Sequence, residues 1–143
     1  PMNSSAASDV YKRQENISLT KGNTREVLKA CDYAIVSSGT ATLEAMLSKT
    51  PFCVIYKSNP ISNFLITKIL LQLDYISLPN ILANKKIVPE LRQGDLKTNK
   101  VIEELDYLIH NSNEAMIQEF KALHQSLINE NDNKFSKIID KLS

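Results

Sequence analysis

Two cysteines, two histidines and no excess of either charge are what this sequence offers where disulfides, metals or nucleic acids would need more. Cys31 and Cys53 are too few and too separated for a disulfide framework or a zinc cluster. Each is expected as a buried thiol of a reducing compartment. His110 and His124 have no Cys or His at ligand spacing and read as surface or helix-end residues. Lys plus Arg is 17 against 16 for Asp plus Glu, and no basic run is interleaved with aromatics, so nucleic acid is excluded as a partner. Also missing are G-x-G-x-x-G, a Walker lysine motif and a D-x-D carboxylate pair. The first 14 residues are small and polar and lack the apolar core of a signal peptide. They are expected to be a sequence-assembly scar or a flexible tail. Setting aside Asp9, Lys12 and Arg13 leaves a neutral body of 15 basic and 15 acidic residues.

What is present suits one domain spanning residues 15–143, since 143 residues with 43% hydrophobic content can bury a core. The most informative stretch runs from Asp32 to Leu47. Tyr33–Val36 reads as a buried strand, Ser37-Ser38-Gly39 as a turn, and Thr40–Ser48 as a helix with Leu43, Met46 and Leu47 at helical spacing. A strand, a Gly turn and a helix start build an anion site, because the first N–H groups of a helix are unpaired and lie at its positive end. Gly39 has no Cβ to block a ligand. An ordinary turn capped by Ser or Thr has the same local pattern.

Around this unit the chain alternates. Ile17–Leu19 resembles the end of a strand, and Asn23–Ala30 a short helix opening at Asn23. Pro51–Tyr56 is a second apolar strand, helix Ile61–Leu73 starts after Pro60, and Tyr75–Leu78 alternates like a short strand ending at Pro79-Asn80. Beyond Ala83 the pattern is helical, with a short Val88–Arg92 segment, then Thr98–His110, Asn113–Asn129 and Lys134–Leu142. Strands alternating with helices predict an α/β fold, a parallel sheet with helices on both faces. Its ligands belong at the carboxyl ends of the strands, where Ser38–Thr40 and Pro79-Asn80 both fall. Helix Ile61–Leu73 is apolar around much of its circumference. About 13 residues cannot span a bilayer, which needs roughly 20, so it is a core helix or an exposed flank that touches lipid or a partner.

Two motifs carry a resemblance. Ser38-Gly39-Thr40-Ala41-Thr42-Leu43-Glu44-Ala45-Met46-Leu47, followed by Asp74-Tyr75-Ile76-Ser77-Leu78-Pro79-Asn80-Ile81-Leu82-Ala83, resembles lipid-A-disaccharide synthase, an inverting GT-B glycosyltransferase family of Gram-negative bacteria. Pro51–Lys57, Val88–Leu91 and Phe120–Gln125 read the same way, and the resemblance covers about Ile17 to the end of the chain. It implies the C-terminal, donor-binding Rossmann-like half of a GT-B fold, plus C-terminal helices. The family transfers 2,3-diacylglucosamine from UDP-2,3-diacylglucosamine to 2,3-diacylglucosamine 1-phosphate, as a β-1,6 linkage in lipid A. By resemblance, Ser38, Gly39, Thr40 and Ala41 would hold the diphosphate, with Thr42 in the same binding set. Glu44 would accept hydrogen bonds from the ribose, and Asn80 would reach the donor or the reacting sugar; as a residue, Asn80 is equally a turn residue after Pro79.

The resemblance places the catalytic base in the other half of the fold, so no catalytic residue and no activity are expected of this segment alone. Asp32 and Asp74 adjoin strand starts and read as structural. No metal or other cofactor is expected, because a helix N-terminus can stabilise a leaving diphosphate. The family's place implies the cytoplasmic face of the inner membrane as a peripheral protein. Its C-terminal helices, with Met116, Ile117, Phe120, Leu123, Leu127 and Ile128 on one stripe, must fold that stripe onto this domain, pair it with another copy as a homodimer or leave it exposed, and self-association is the outcome expected. The donor half of another UDP-sugar GT-B enzyme, or a non-catalytic binding and assembly module, are the alternative readings.

Overall fold

The computed structural model describes residues 17–57 and 74–129. The expected helices Ile61–Leu73 and Lys134–Leu142, and the N-terminal scar or tail, lie outside the described residues.

In chain order the elements are α1 (Thr24–Ala30), β1 (Ala34–Ser37), α2 (Thr40–Ser48), β2 (Phe52–Ile55), α3 (Leu78–Ala83), β3 (Glu90–Leu91), α4 (Thr98–His110) and α5 (Glu114–Asn129). The three strands form one parallel sheet in the order β1-β2-β3, with Ala34 opposite Phe52, Val36 opposite Val54, and Val54 opposite Glu90. β2 is central and apolar throughout, Phe-Cys-Val-Ile, which suits a strand buried on both faces. Phe52 and Val54 face one way, into a core with Leu28, Val36, Ala45, Met46, Val88 and Phe120. Cys53 points to the opposite face, where α4 packs on β2 and Leu108 is fully buried. Helices therefore cover both faces of a parallel sheet, as the alternating pattern predicts.

Helices Thr40–Ser48 and Thr98–His110 have the bounds expected from their spacing, and the neighbouring elements differ by a residue or so at their ends. Four expectations need correction. Ile17–Leu19 forms no strand, and Ile17 and Leu19 are exposed. Tyr75–Leu78 is not a strand either. The N–H groups of Ile76 and Ser77 go to the carboxylate of Glu90 instead of a ladder, and Leu78 already opens α3. Pro79 sits in the first turn of that helix, where its missing N–H costs nothing. Third, the segment Val88–Arg92 is extended rather than helical. The carbonyls of Pro89 and Leu91 accept from Val54 N (2.8 Å) and Tyr56 N (2.9 Å), so the backbone satisfies the second edge of β2. Fourth, Cys31 is exposed; Cys53 alone is buried.

Of the courses open to the C-terminal stripe, the described residues show packing onto this domain. Phe120 is fully buried, and Met116, Leu123 and Leu127 pack on the same core, so α5 lays its apolar face on this domain. Phe120, Met116, Leu123 and Leu127 thus find part of their cover within the domain, with Phe120 alone of the stripe fully buried. Ile128, at the end of α5, stays 63% exposed.

Candidate functional site

β1 ends at Ser37, and Ser38 N still continues the sheet by donating to Ile55 O at 3.0 Å. Gly39 then turns the chain with φ 139° and ψ −161°, a conformation that side-chain-bearing residues rarely adopt. A Cβ built on Gly39 would meet no atom within 4 Å, so glycine is required here by conformation while the space before it is open. α2 starts at Thr40 without a side-chain cap on Gly39. The first paired N–H of the helix is that of Thr42, which donates to Gly39 O at 3.1 Å. The N–H groups of Gly39, Thr40 and Ala41 have no acceptor among the described residues. Gly39 and Thr40 are exposed and Ala41 is half-buried, all three at the positive end of α2.

The hydroxyls on either side of these three donors are turned inward. Ser38 Oγ donates to Ile76 O at 3.1 Å. Thr42, fully buried, donates through Oγ1 to Gly39 O at 2.7 Å and accepts from Leu78 N at 3.3 Å. Both residues tie the turn to the segment leading into α3. Of the residues expected to hold an anion, Gly39, Thr40 and Ala41 thus present backbone donors, whereas Ser38 and Thr42 give their donors to the protein.

Glu44, one turn into α2, is exposed. With Asn23, Thr24, Arg25, Glu26 and Leu47 it lines an open cleft of about 550 Å³ between the start of α1 and the outer side of α2. A groove of about 460 Å³ along β1 shares Thr24 with this cleft and reaches Ala41. An anion at the Gly39–Ala41 N–H groups and a polyol at Glu44 would accordingly lie one helical turn apart.

Asn80 is where the expectation and the structure part. It lies inside α3, fully buried, not at a strand end. Its Oδ1 accepts from Ile87 N (2.7 Å) and Val88 N (2.9 Å), and its Nδ2 donates to Val88 O (2.9 Å) and Glu90 Oε1 (2.8 Å). Every site of the amide is spent inside the chain. The turn-holding role, open in the sequence, is the one these contacts describe.

In the sequence Glu90 carries no assigned role beyond its place in the Val88–Leu91 stretch of the resemblance. Its carboxylate accepts from Ser77 Oγ (2.6 Å), Ser77 N (2.9 Å), Asn80 Nδ2 (2.8 Å) and Ile76 N (3.1 Å), with its side chain 7% exposed. Arg92 Nη2 stands 3.6 Å from it and donates to Asp74 O at 2.6 Å. A glutamate inside an apolar Val-Pro-Glu-Leu run is the one hint that could have marked it, since a carboxylate there needs donors.

Elsewhere the chemistry is sparse. Burial raises the Cys53 thiol to a pKa of about 11, with the nearby Glu104 charge adding to the effect. Such a thiol is inert. Among the described residues no three His, Cys, Asp or Glu side chains are grouped to hold a metal ion, and no helix is long and apolar enough to cross a membrane.

A family model described as Lipid-A-disaccharide synthetase matches residues 6–139. A lipid-A-disaccharide synthase of Idiomarina loihiensis is 40% identical over 119 residues, covering 83% of this chain and 31% of that protein. One from Haemophilus influenzae is 40% identical over 118 residues, covering 78% of this chain and 30% of its own length. A third, from Francisella philomiragia, is 35% identical over 132 residues, 91% of this chain and 35% of that protein. This chain spans about a third of the length of these relatives.

Proposed function

We propose, from the premise that this chain belongs to the lipid-A-disaccharide synthetase family, that it is the donor-nucleotide-binding part of a glycosyltransferase that builds the lipid A disaccharide. The donor is UDP-2,3-diacylglucosamine and the acceptor 2,3-diacylglucosamine 1-phosphate. The observation that carries the reading is the row of three N–H groups, Gly39 to Ala41, that have no acceptor among the described residues, at the carboxyl end of a parallel strand and the positive end of α2. In sugar transfer from UDP the leaving group is a diphosphate, and charge grows on it as the glycosidic bond breaks. Fixed backbone donors and a helix dipole stabilise that charge without reorganising. Glu44, one turn further along α2, takes the ribose hydroxyls as an acceptor-only carboxylate.

The backbone N–H groups of Gly39, Thr40 and Ala41 hold the diphosphate in this account. Ser38, Thr42 and Asn80 belong to the site by shaping it, since their side-chain donors are engaged within the protein. The acceptor sugar and the base that takes its hydroxyl proton are assigned to the rest of the enzyme, and the work to the cytoplasmic surface of the inner membrane, where acylated sugars reside. Calorimetric titration with UDP and with uridine tests the reading. UDP should bind at least about tenfold more tightly, because charge-assisted hydrogen bonds to a diphosphate contribute roughly 1.5–3 kcal/mol each. Equal affinity for the two would remove the diphosphate from the site.

A further inference from the structure

We infer that Glu90 is a positioning residue for the anion-binding turn, acting through the backbone of Ile76–Leu78. The inference rests on the functional reading of that turn given above. Glu90 stands on β3, at the opposite edge of the sheet from β1, and its side chain is 7% exposed. A carboxylate is costly to bury, and an apolar side chain on this strand would pack without that cost. What the carboxylate does instead is gather donors from one short segment, Ile76 N, Ser77 N and Ser77 Oγ, together with the amide of Asn80.

That segment is the one the turn leans on. The carbonyl of Ile76 receives Ser38 Oγ, immediately before the three N–H groups of Gly39, Thr40 and Ala41. The next N–H along, that of Leu78, donates to Thr42 Oγ1, immediately after them. Two contacts thus bracket Gly39–Ala41, and both arise from residues whose backbone is held directly by Glu90 or follows it by one position. Asn80 and Arg92 hold the carboxylate from two further sides, through the 2.8 Å amide bond and the 3.6 Å ion pair. Donors for a diphosphate must be aimed before the ligand arrives if they are to favour the leaving charge. Glu90 supplies that aim from the far edge of the sheet, without contacting the ligand.

The test is Glu90→Gln in the 143-residue chain, read by UDP affinity and by the amide resonances of Gly39, Thr40 and Ala41 without ligand. Glutamine keeps the shape but replaces one acceptor oxygen with a donor that faces N–H groups. The expected result is displaced Gly39–Ala41 resonances and a loss of UDP affinity of about fivefold or more. The control is Thr50→Val, which deletes the buried Thr50 Oγ1 bond to Leu28 O on the far side of α2. It should lower thermal stability while leaving UDP affinity and the three resonances in place. Should Glu90→Gln fail to fold, Ser77→Ala removes the shortest contact alone and is judged by the same readouts. Unmoved resonances with a smaller loss of affinity than fivefold overturn the inference, as does an equal loss in Thr50→Val. If the unaltered chain binds no UDP, the functional reading fails, and the resonances of the variants still decide whether Glu90 aims the turn.

Discussion

The ring of Phe120, in the middle of α5, stacks on that of Phe52 at the start of β2, with centroids 5.5 Å apart and planes inclined by 25°. Both side chains are fully buried. This contact fastens the last described helix to the central strand and makes α5 part of the domain core.

Phe120→Ala should therefore destabilise the fold by about 3–5 kcal/mol, the usual cost of deleting a buried aromatic ring and leaving its cavity. Urea unfolding followed by circular dichroism measures it. A change below about 1 kcal/mol, accompanied by dissociation of a dimer in light scattering, would return α5 to the role of an interface.

The two cysteines should separate cleanly. At neutral pH a thiol reagent should modify Cys31, which is exposed, and leave Cys53 untouched until the chain unfolds. The burial that raises Cys53 to about 11 from 9.0 also sets a sign. The unfolded thiol ionises first, so its contribution to stability is full below about pH 9 and is lost as pH climbs toward 11. Modification of both cysteines at the same rate in the native protein would contradict the packing of β2 against α4.

Gly39→Ala should fold with a strained turn. No atom blocks the new methyl group, yet φ 139° is unfavourable for alanine, a strain of about 1–3 kcal/mol. Relief of that strain would re-aim the three N–H groups, so UDP affinity should fall by about tenfold or more. Unchanged affinity would mean that the turn's conformation is not what binds.

Glu44→Ala should weaken UDP by about tenfold while barely changing stability, because the side chain is exposed and bears no hydrogen bond among the described residues. The effect should be smaller on a diphosphate ligand without ribose. An equal effect on both would point to a general electrostatic change rather than a ribose contact.

How much of this was legible in the sequence depended on the range over which each choice is made. Helix Thr40–Ser48 follows from the spacing of its apolar residues and the break at Gly39, both local, and is found with those bounds. Phe52–Ile55 follows from an unbroken apolar run. Tyr75–Leu78 alternates like a strand, but its N–H groups are claimed by Glu90, more than ten residues further along. Pro89-Glu90-Leu91 is short enough for either state and is made a strand by the vacant edge of β2. The motif marks Asn80 as special, yet its four partners come from Ile87, Val88 and Glu90, which no local pattern identifies. Likewise the anion turn was readable as a strand, glycine and helix start. That Ser38 and Thr42 face inward was not, because their long-range partners, Ile76 O and Leu78 N, lie more than 30 residues away, at or just before the start of α3.

This chain alone should release no UDP from UDP-2,3-diacylglucosamine, with or without the acceptor. It spans about a third of the length of its relatives, and the account assigns the base and the acceptor site to the remainder. UDP release that depends on both acylated sugars would overturn that division of labour.

The backbone donors of Gly39, Thr40 and Ala41 are proposed to bind the diphosphate of a uridine nucleotide. Titrating the isotope-labelled chain with UDP and recording its amide resonances tests this most directly. Saturable shifts should be largest at Gly39, Thr40 and Ala41, with smaller ones around Glu44 and little change for uridine at the three turn amides. Saturable UDP binding that leaves those three amides unmoved, or no UDP binding at all, would contradict it.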